Sequence, residues 1–376
     1  MKNLKKVVIS GPNLVDGGPI SVFYDFLDAI VTDRYFEQFD FILLVSQRRL
    51  FEKYSDFATI IEFPKSKSNW IYRLYYEYVY FNILSKRIKP YIWISMHDIT
   101  PRVQTQILYT YCHNPSPFNH MSLKDAKYGF KYYLFSKFYK YLYAINIHKA
   151  NAIIVQQDWM RQEFIKMYNL SSVIVARPSF TIDRLPASVN EQKDDQVVFV
   201  APSFPRYYKN FEICCLAASI LYDKGIENFK LYITLTGNEN KYAKYLRQKF
   251  SAIPTIDFCG LLDRSSLFQL YANSNCLLFM SKLETWGMPI TEYKSTCKSM
   301  IVADLPYAHE TVGDYDKVCF CDPDNAMGVA MAMKELICNG FIKGRSKAPR
   351  VQPPFAKNWS CLCDLLFGRK YGQDEK

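Results

Sequence analysis

The segment Cys276-Leu277-Leu278-Phe279-Met280 runs through Ser281-Lys282-Leu283 into Glu284-Thr285-Trp286-Gly287-Met288-Pro289-Ile290-Thr291-Glu292. Its first five residues are apolar and bounded by polar ones, the pattern of a strand buried on both faces. The stretch leading out of the second glutamate has helical composition, so the glutamate run occupies a strand-to-helix turn. Gly287 lets the backbone come close to a ligand, and Pro289 suits a first helical position, where its missing N–H costs nothing. The free N–H donors and dipole of a helix start favour an anion such as a diphosphate. Glu284 and Glu292 flank the turn and can accept hydrogen bonds from sugar and ribose hydroxyls. Two glutamates on a solvated helix face would show the same spacing, so the pair alone leaves both readings open.

Working outward, apolar runs alternate with helical stretches along the whole chain, which predicts α/β domains with parallel sheets. In the first half the expected strands are Lys6–Ser10, Phe41–Val45, Tyr91–Ser95, Ile107–Tyr111 and Ala152–Val155, with a helix over Ile20–Ile30. In the second they are Val197–Val200, Lys230–Thr234, Ile256–Phe258, Cys276–Met280 and Ser299–Val302, with a helix from Phe211. Polar residues from Thr181 to Gln196 form the linker candidate. The expected division is 1–180, 195–350 and a closing segment with tail at 351–376, of which Asn358–Phe367 is largely apolar. A length of 376 residues fits two such domains. Two doubly wound lobes place a ligand beyond the carboxyl ends of their strands.

Composition narrows the function classes. No apolar run approaches the ~20 residues needed to cross a bilayer, and Val7-Val8-Ile9-Ser10 is too short for a signal-peptide core. The expectation is a cytoplasmic protein. Eleven cysteines without paired zinc-type spacing read as reduced thiols, with neither disulfide nor structural metal. The formal net charge of +11 calls for a partner or a surface. Both charge and aromatics concentrate in Lys124–Lys149, where Lys124, Lys127, Lys131, Lys137, Lys140 and Lys149 face the single acid Asp125. Lysines interleaved with Tyr and Phe suit an anionic membrane surface, although a solvated lysine stripe around an aromatic core helix reads the same way. No zinc-finger, RNP-type or helix-turn-helix signature accompanies the charge, so nucleic acid is not the expected partner.

Other loops add chemistry. After Val197–Val200 comes Ala201-Pro202-Ser203-Phe204-Pro205-Arg206-Tyr207-Tyr208-Lys209-Asn210, in which Arg206 and Lys209 could both reach one diphosphate. A departing nucleoside diphosphate needs fixed cations or a metal, and an arginine and a lysine can serve without a metal. Two basic residues facing solvent would look alike. Gly237 and Gly260 each follow a strand, as turn glycines commonly do. His97, in Met96-His97-Asp98, and His113, in Tyr111-Cys112-His113-Asn114-Pro115, also follow strands and can bond sugar hydroxyls, whereas a histidine beside an aspartate can equally be an oriented structural pair.

Glu-x-x-Gly-x-Pro-x-x-Glu entered from a hydrophobic strand, with the Arg206/Lys209 loop before it, resembles the donor site of retaining glycosyltransferases of family 4, and the whole chain resembles bacterial O-antigen and capsular polysaccharide enzymes. The resemblance implies a GT-B fold, α/β with two Rossmann-like domains facing a central cleft, and a crossover segment in 351–376 by which Asn358–Phe367 returns to the first lobe. It implies that Lys209 and Arg206 hold the donor diphosphate, that Glu284 holds the sugar or acts as nucleophile, and that Glu292 binds ribose. Trp286, Gly287, Met288 and Pro289 would complete the donor loop, with backbone groups at Gly237 and Gly260 near the base. His113 matches the first-lobe active-site histidine, with His97 second, and Gly17-Gly18 matches a loop facing donor and acceptor. The Arg206-x-x-Lys209 interval is shorter than usual, and Thr285-Trp286 replaces a small residue and Phe. The implied reaction is metal-independent, retaining transfer of a hexose from a nucleotide-sugar to a lipid-linked acceptor at the inner face of the cytoplasmic membrane. A GT-B-like nucleotide-sugar epimerase and a non-enzymatic two-lobed sugar-binding protein are the alternatives.

Overall fold

A computed structural model describes residues 4–118, 125–179 and 196–368. The Thr181–Gln196 linker, apart from Gln196, lies outside the described residues, as do Lys124 and the tail from position 369.

In the first half, β1 (Lys5–Gly11), α1 (Gly17–Thr32), β2 (Phe39–Val45), β3 (Ala58–Glu62), α2 (Trp70–Tyr75), α3 (Phe81–Ile88), β4 (Ile92–Ser95), β5 (Ile107–Tyr111), α4 (Phe130–Ala144), β6 (Ala152–Val155), α5 (Asp158–Tyr168) and β7 (Val173–Ala176) follow in order. A π-helical turn, Tyr76–Tyr80, joins α2 to α3. The second half continues with β8 (Val197–Ala201), α6 (Phe211–Asp223), β9 (Phe229–Ile233), α7 (Lys241–Phe250), β10 (Ile256–Phe258), α8 (Arg264–Asn273), β11 (Cys276–Phe279), α9 (Met288–Lys294), β12 (Ser299–Ala303), α10 (Pro306–Val312), β13 (Val318–Cys321) and α11 (Ala326–Asn339). The chain closes with β14 (Phe355–Ala356) and α12 (Trp359–Phe367).

The first sheet runs β14-β7-β6-β5-β4-β1-β2-β3 and the second β10-β9-β8-β11-β12-β13. Every named pairing within them is parallel. In each, the first strand of the half lies inside the sheet and the order reverses beside it, between β1 and β4 and between β8 and β11. In an open α/β sheet such a reversal leaves a crevice at the carboxyl ends of the two strands, because their following helices leave toward opposite faces.

Strand periodicity explains the first core. Val7 and Ile9 of β1 join a cluster with Phe23, Phe26 and Ile30 of α1, while Val8 between them joins one with Phe63, Phe81 and Trp93, so this sheet is covered on both sides. Gly11 is required here. A Cβ on it would sit 2.7 Å from Phe23 Cε1, and its absence lets α1 pack on β1. Residues 351–368 belong to this first unit: β14 pairs with β7, Trp359 and Phe367 pack on Phe26, and Tyr35 Oη donates to Asp364 Oδ1 (2.6 Å).

Residues 125–135, expected with the first lobe, group instead with the second unit. Ring contacts account for this: Tyr128 packs on Tyr242 and Tyr245 at 5.1 and 5.4 Å, and Tyr132 on Tyr207 and Tyr208 at 6.0 and 5.7 Å. The second core forms around Phe199, Leu231 and Leu278 with Cys214, Cys215 and Cys276 as small buried hydrophobes.

Candidate active site

Lys209 and Glu284, 75 positions apart, meet at the strand reversal of the second sheet. Lys209 Nζ lies 2.5 Å from Glu284 Oε1, with side chains only 15% and 12% exposed. The topology dictates the meeting, because Lys209 is on the loop after β8, Glu284 is on the loop after β11, and the two strands are neighbours. At this depth each charge needs the other, since an unpaired buried charge is strongly destabilising.

Several bonds fix the two loops together. Asn210, with φ of 59°, sends its Nδ2 to the Met280 carbonyl (3.1 Å) and to the Pro323 carbonyl (2.8 Å), stapling the β8 loop to the ends of β11 and β13. The Tyr208 carbonyl accepts from the Lys282 N–H at 2.7 Å. Asn210 escaped sequence analysis, although an Asn directly before the helix start at Phe211 was a visible signal of a special backbone position. Arg206 stands further out, exposed, with its Nη1 donating to Tyr208 Oη at 3.1 Å.

The glutamate run behaves as a turn into a helix, with Gly287 at φ 88° as the N-cap residue and Pro289 in the first turn. A Cβ on Gly287 would meet Tyr307 Cε2 at 3.3 Å, so the position combines a left-handed backbone with close packing on α10. Trp286 turns inward, donating from Nε1 to Thr291 Oγ1 (2.8 Å), while its carbonyl accepts from Thr311 Oγ1. Its indole therefore shapes the loop from beneath. Met288 and Pro289 are half-buried beside it. Helix α9 spans seven residues, so its macrodipole is that of barely two turns and the fixed cation Lys209 is the stronger anion attractor. Glu292 accepts from Tyr271 Oη at 3.3 Å. Burial pushes its carboxyl above the ordinary range, opposed by the Arg264 charge and the Tyr271 hydroxyl.

Two glycines expected to offer backbone groups to the base have their N–H groups already engaged. The Gly237 N–H donates to Glu239 Oε2 (2.9 Å) and the Thr236 N–H to Glu239 Oε1 (2.6 Å). Burial works against the Glu239 carboxylate, yet these donors hold it below its ordinary pKa. The Gly260 N–H donates to the Leu235 carbonyl (3.2 Å). Both have positive φ, 97° and 84°, so turn geometry alone accounts for them.

In the first unit, Gly17 (φ 73°) and Gly18 are exposed at the start of α1, beside the reversal between β1 and β4. His113 is half-buried, with Nε2 donating to the Met96 carbonyl (2.8 Å) and its own N–H donating to Asp98 Oδ1 (2.6 Å). Burial lowers its pKa against the pull of Asp98 and the Met96 carbonyl, leaving neutral imidazole with Nδ1 as an acceptor. His97 corrects an expectation. It is fully buried, and its Nε2 lies 3.2 Å from Glu77 Oε1 of the π turn, not against its neighbour Asp98. That approach has ion-pair distance without hydrogen-bond geometry. Arg73 Nη2 donates to the His97 carbonyl at 2.8 Å. Asp98, at φ 74°, instead accepts from the His113 and Asn114 N–H groups and from Tyr143 Oη (3.1 Å).

Residues 181–349 match the family model described as Glycosyl transferases group 1. No curated protein matches the chain. Among solved structures it is similar to sucrose-phosphate synthase from Thermosynechococcus elongatus (TM-score 0.62, 11% identity, 89% of this chain and 90% of that one). It is also similar to a lipopolysaccharide outer core galactosyltransferase in its apo form (0.61, 12%, 90% and 91%) and to Anabaena HepE in complex with UDP and glucose (0.56, 12%, 89% and 90%). Identities this low speak for the fold, which is GT-B, α/β with two parallel sheets. Residues 181–349, with Lys209, Glu284 and Glu292 among them, are thus the part of the chain that resembles glycosyl transferases group 1.

Proposed function

We propose that this group 1 glycosyltransferase moves a hexose, with retention of configuration and without a metal ion, from a nucleotide-sugar to a lipid-linked oligosaccharide in O-antigen or capsular polysaccharide biosynthesis. The observation that carries the reading is the paired, half-sequestered Lys209–Glu284 couple at the sheet reversal. A cation and a carboxylate held together there can part around a donor, Lys209 turning to the diphosphate and Glu284 to the sugar hydroxyls. Arg206 supplies a second positive charge at the rim, and Glu292 accepts from the ribose.

The bond from the anomeric carbon to the β-phosphate oxygen breaks with its electron pair leaving on the diphosphate. The acceptor oxygen forms the new bond on the same face, and its proton passes to the departing phosphate. Lys209 stabilises the charge that grows on the leaving group. Neutral His113 offers an acceptor for a sugar hydroxyl. The galactosyltransferase and UDP-bound relatives support a nucleotide-sugar donor, and the lysine-rich aromatic stretch around α4 supports a lipid-borne acceptor and a peripheral position at the inner face of the cytoplasmic membrane. No helix among the described residues is long and apolar enough to cross a membrane.

The test is transfer from UDP-, GDP- and dTDP-sugars to a membrane extract, with and without EDTA. The reading expects acceptor-dependent transfer that EDTA leaves intact. Turnover of donor without acceptor would favour the epimerase reading, and strict divalent-ion dependence would overturn the cationic clamp.

A further inference from the structure

The helical run Trp70–Ile88 of the first unit carries an apolar stripe that this unit leaves uncovered. Ile71 is 73% exposed, and Trp70, Tyr75, Val79 and Ile83 are each 44–47% exposed. From Ile71 the stripe advances by four residues at a time. In an α-helix a four-residue step drifts by about 40°, and the π turn at Tyr76–Tyr80, with more residues per revolution, turns the stripe back toward a straight line. The opposite positions, Arg73, Glu77, Phe81 and Ser85, are buried. A patch of this kind on a helix marks an interaction surface.

Charge identifies the partner. Between Phe63 and Lys89 the only acidic residue is Glu77, and it is fully buried, so the exposed surface of the segment has no carboxylate of its own. Lys65 precedes the stripe, and Lys86, Arg87 and Lys89 end it, all exposed. Lys67 is already paired with Asp16 at 2.5 Å. Lys86 and Lys89 line an open recess with Gln104, Thr105 and Gln106, a shape suited to a phosphate headgroup. Trp70 sits 6.3 Å, ring to ring, from Tyr139, so α4 packs beside the start of the stripe, and Phe130–Lys149 contains no acid either. Apolar residues edged by cations, with Trp and Tyr among them, describe an interfacial helix on an anionic bilayer.

We infer that the Trp70–Ile88 helix face is the element that seats this chain on an anionic membrane, Ile71, Tyr75, Val79 and Ile83 entering the headgroup boundary and Lys86, Arg87 and Lys89 meeting lipid phosphates. The inference deepens the membrane part of the proposed function and rests on that part alone, not on the donor site.

Co-sedimentation of the full chain with phosphatidylcholine vesicles, with and without phosphatidylglycerol, tests it in the absence of any donor. The expected result is binding only to anionic vesicles, weakened more than about tenfold by Ile71→Asp with Val79→Asp, and made less anion-selective by Lys86→Glu with Arg87→Glu. The mutated side chains are exposed, so thermal unfolding should not move. Undiminished binding by the Ile71/Val79 variant overturns the inference. So does an absence of vesicle binding accompanied by a dimer that the same variant dissociates, which would give the face to a second copy of the chain. Turnover with a water-soluble acceptor glycoside should be unchanged in these variants, so loss of vesicle binding and failure of the transferase reading are separate outcomes.

Discussion

The two strand reversals hold polar residues in opposite ways. In the second sheet, the loops after β8 and β11 bring Lys209 and Glu284 together near the surface, 15% and 12% exposed, as an ion pair a ligand can open. In the first, the loop after β4 takes His97 into the interior against Glu77, while Asp98 spends its acceptors on the His113 loop and Tyr143. On the proposed function the arrangement at Lys209 is rearranged by a ligand, whereas that at His97 holds a backbone in place. The difference lies in what covers the loop: the π turn between α2 and α3 sets Glu77 against His97 with both side chains fully buried, whereas Lys209 keeps part of its side chain open to solvent.

Substitution should separate the two most sharply. Lys209→Ala is expected to cost roughly 10²–10³-fold in turnover per folded molecule, beside the stability lost when Glu284 is left without its cation, whereas His97→Ala should lose about 2–4 kcal/mol of stability by emptying a fully buried site and keep most of its turnover per folded molecule. Steady-state kinetics beside urea unfolding reads both. If His97→Ala were stable and inactive, the buried pair would belong to the chemistry and the contrast would fail.

Gly287→Ala should cost about 1–2 kcal/mol from the left-handed backbone, and more where Tyr307 cannot yield, with a loss of donor affinity because Glu284 and Glu292 are carried on the same turn. Calorimetric unfolding and a donor titration would show it. A variant as stable and as tightly binding as the parent would remove the glycine from the account.

The smallest effect is a pH slope. Burial pushes the Glu77 carboxyl up to about 8, against the lowering influence of Arg73. A carboxyl raised on folding holds its proton in the native state where the unfolded chain has released it, so its contribution is full below the ordinary carboxylate pKa and is lost as pH rises through about 8. His97 and His113 act in the reverse sense, their pKa values lowered by burial, and their neutral forms favour the native state from the ordinary histidine pKa upward. Glu77→Gln should therefore gain stability relative to the parent between pH 5 and pH 8, roughly. Parallel stability curves would show that the glutamate is ionised throughout.

The sequence made most inner strands plain because burial on both faces leaves uninterrupted apolar runs, as in β8 and β11. Strands β3, β7, β13 and β14 went unread. Three of them, β3, β13 and β14, lie at sheet edges, where one side lacks a neighbour and the run is short or half-polar, as Ala58-Thr59-Ile60-Ile61-Glu62 illustrates. The fourth, β7, lies inside its sheet, and its apolar run is only four residues long. The glutamate motif and the basic loop were legible because their residues stand directly after strands, and strand order then brings them together. Glu77 was not, since Arg73 and Glu77 at i and i+4 read as an ordinary surface pair. Only the π turn and the fold around it show that the face they share is buried. Gly237 and Gly260 were seen as loop glycines, but the competitor for the Gly237 amide, Glu239, is a local contact that spacing does not reveal.

Titration calorimetry of UDP and GDP in EDTA, with the parent chain and with Lys209→Ala, tests the central claim most directly. The account predicts metal-free binding of one of the two by the parent and a loss of more than about tenfold in affinity on removing the lysine. Equal affinities for parent and variant, or binding that appears only with a divalent ion, would contradict it.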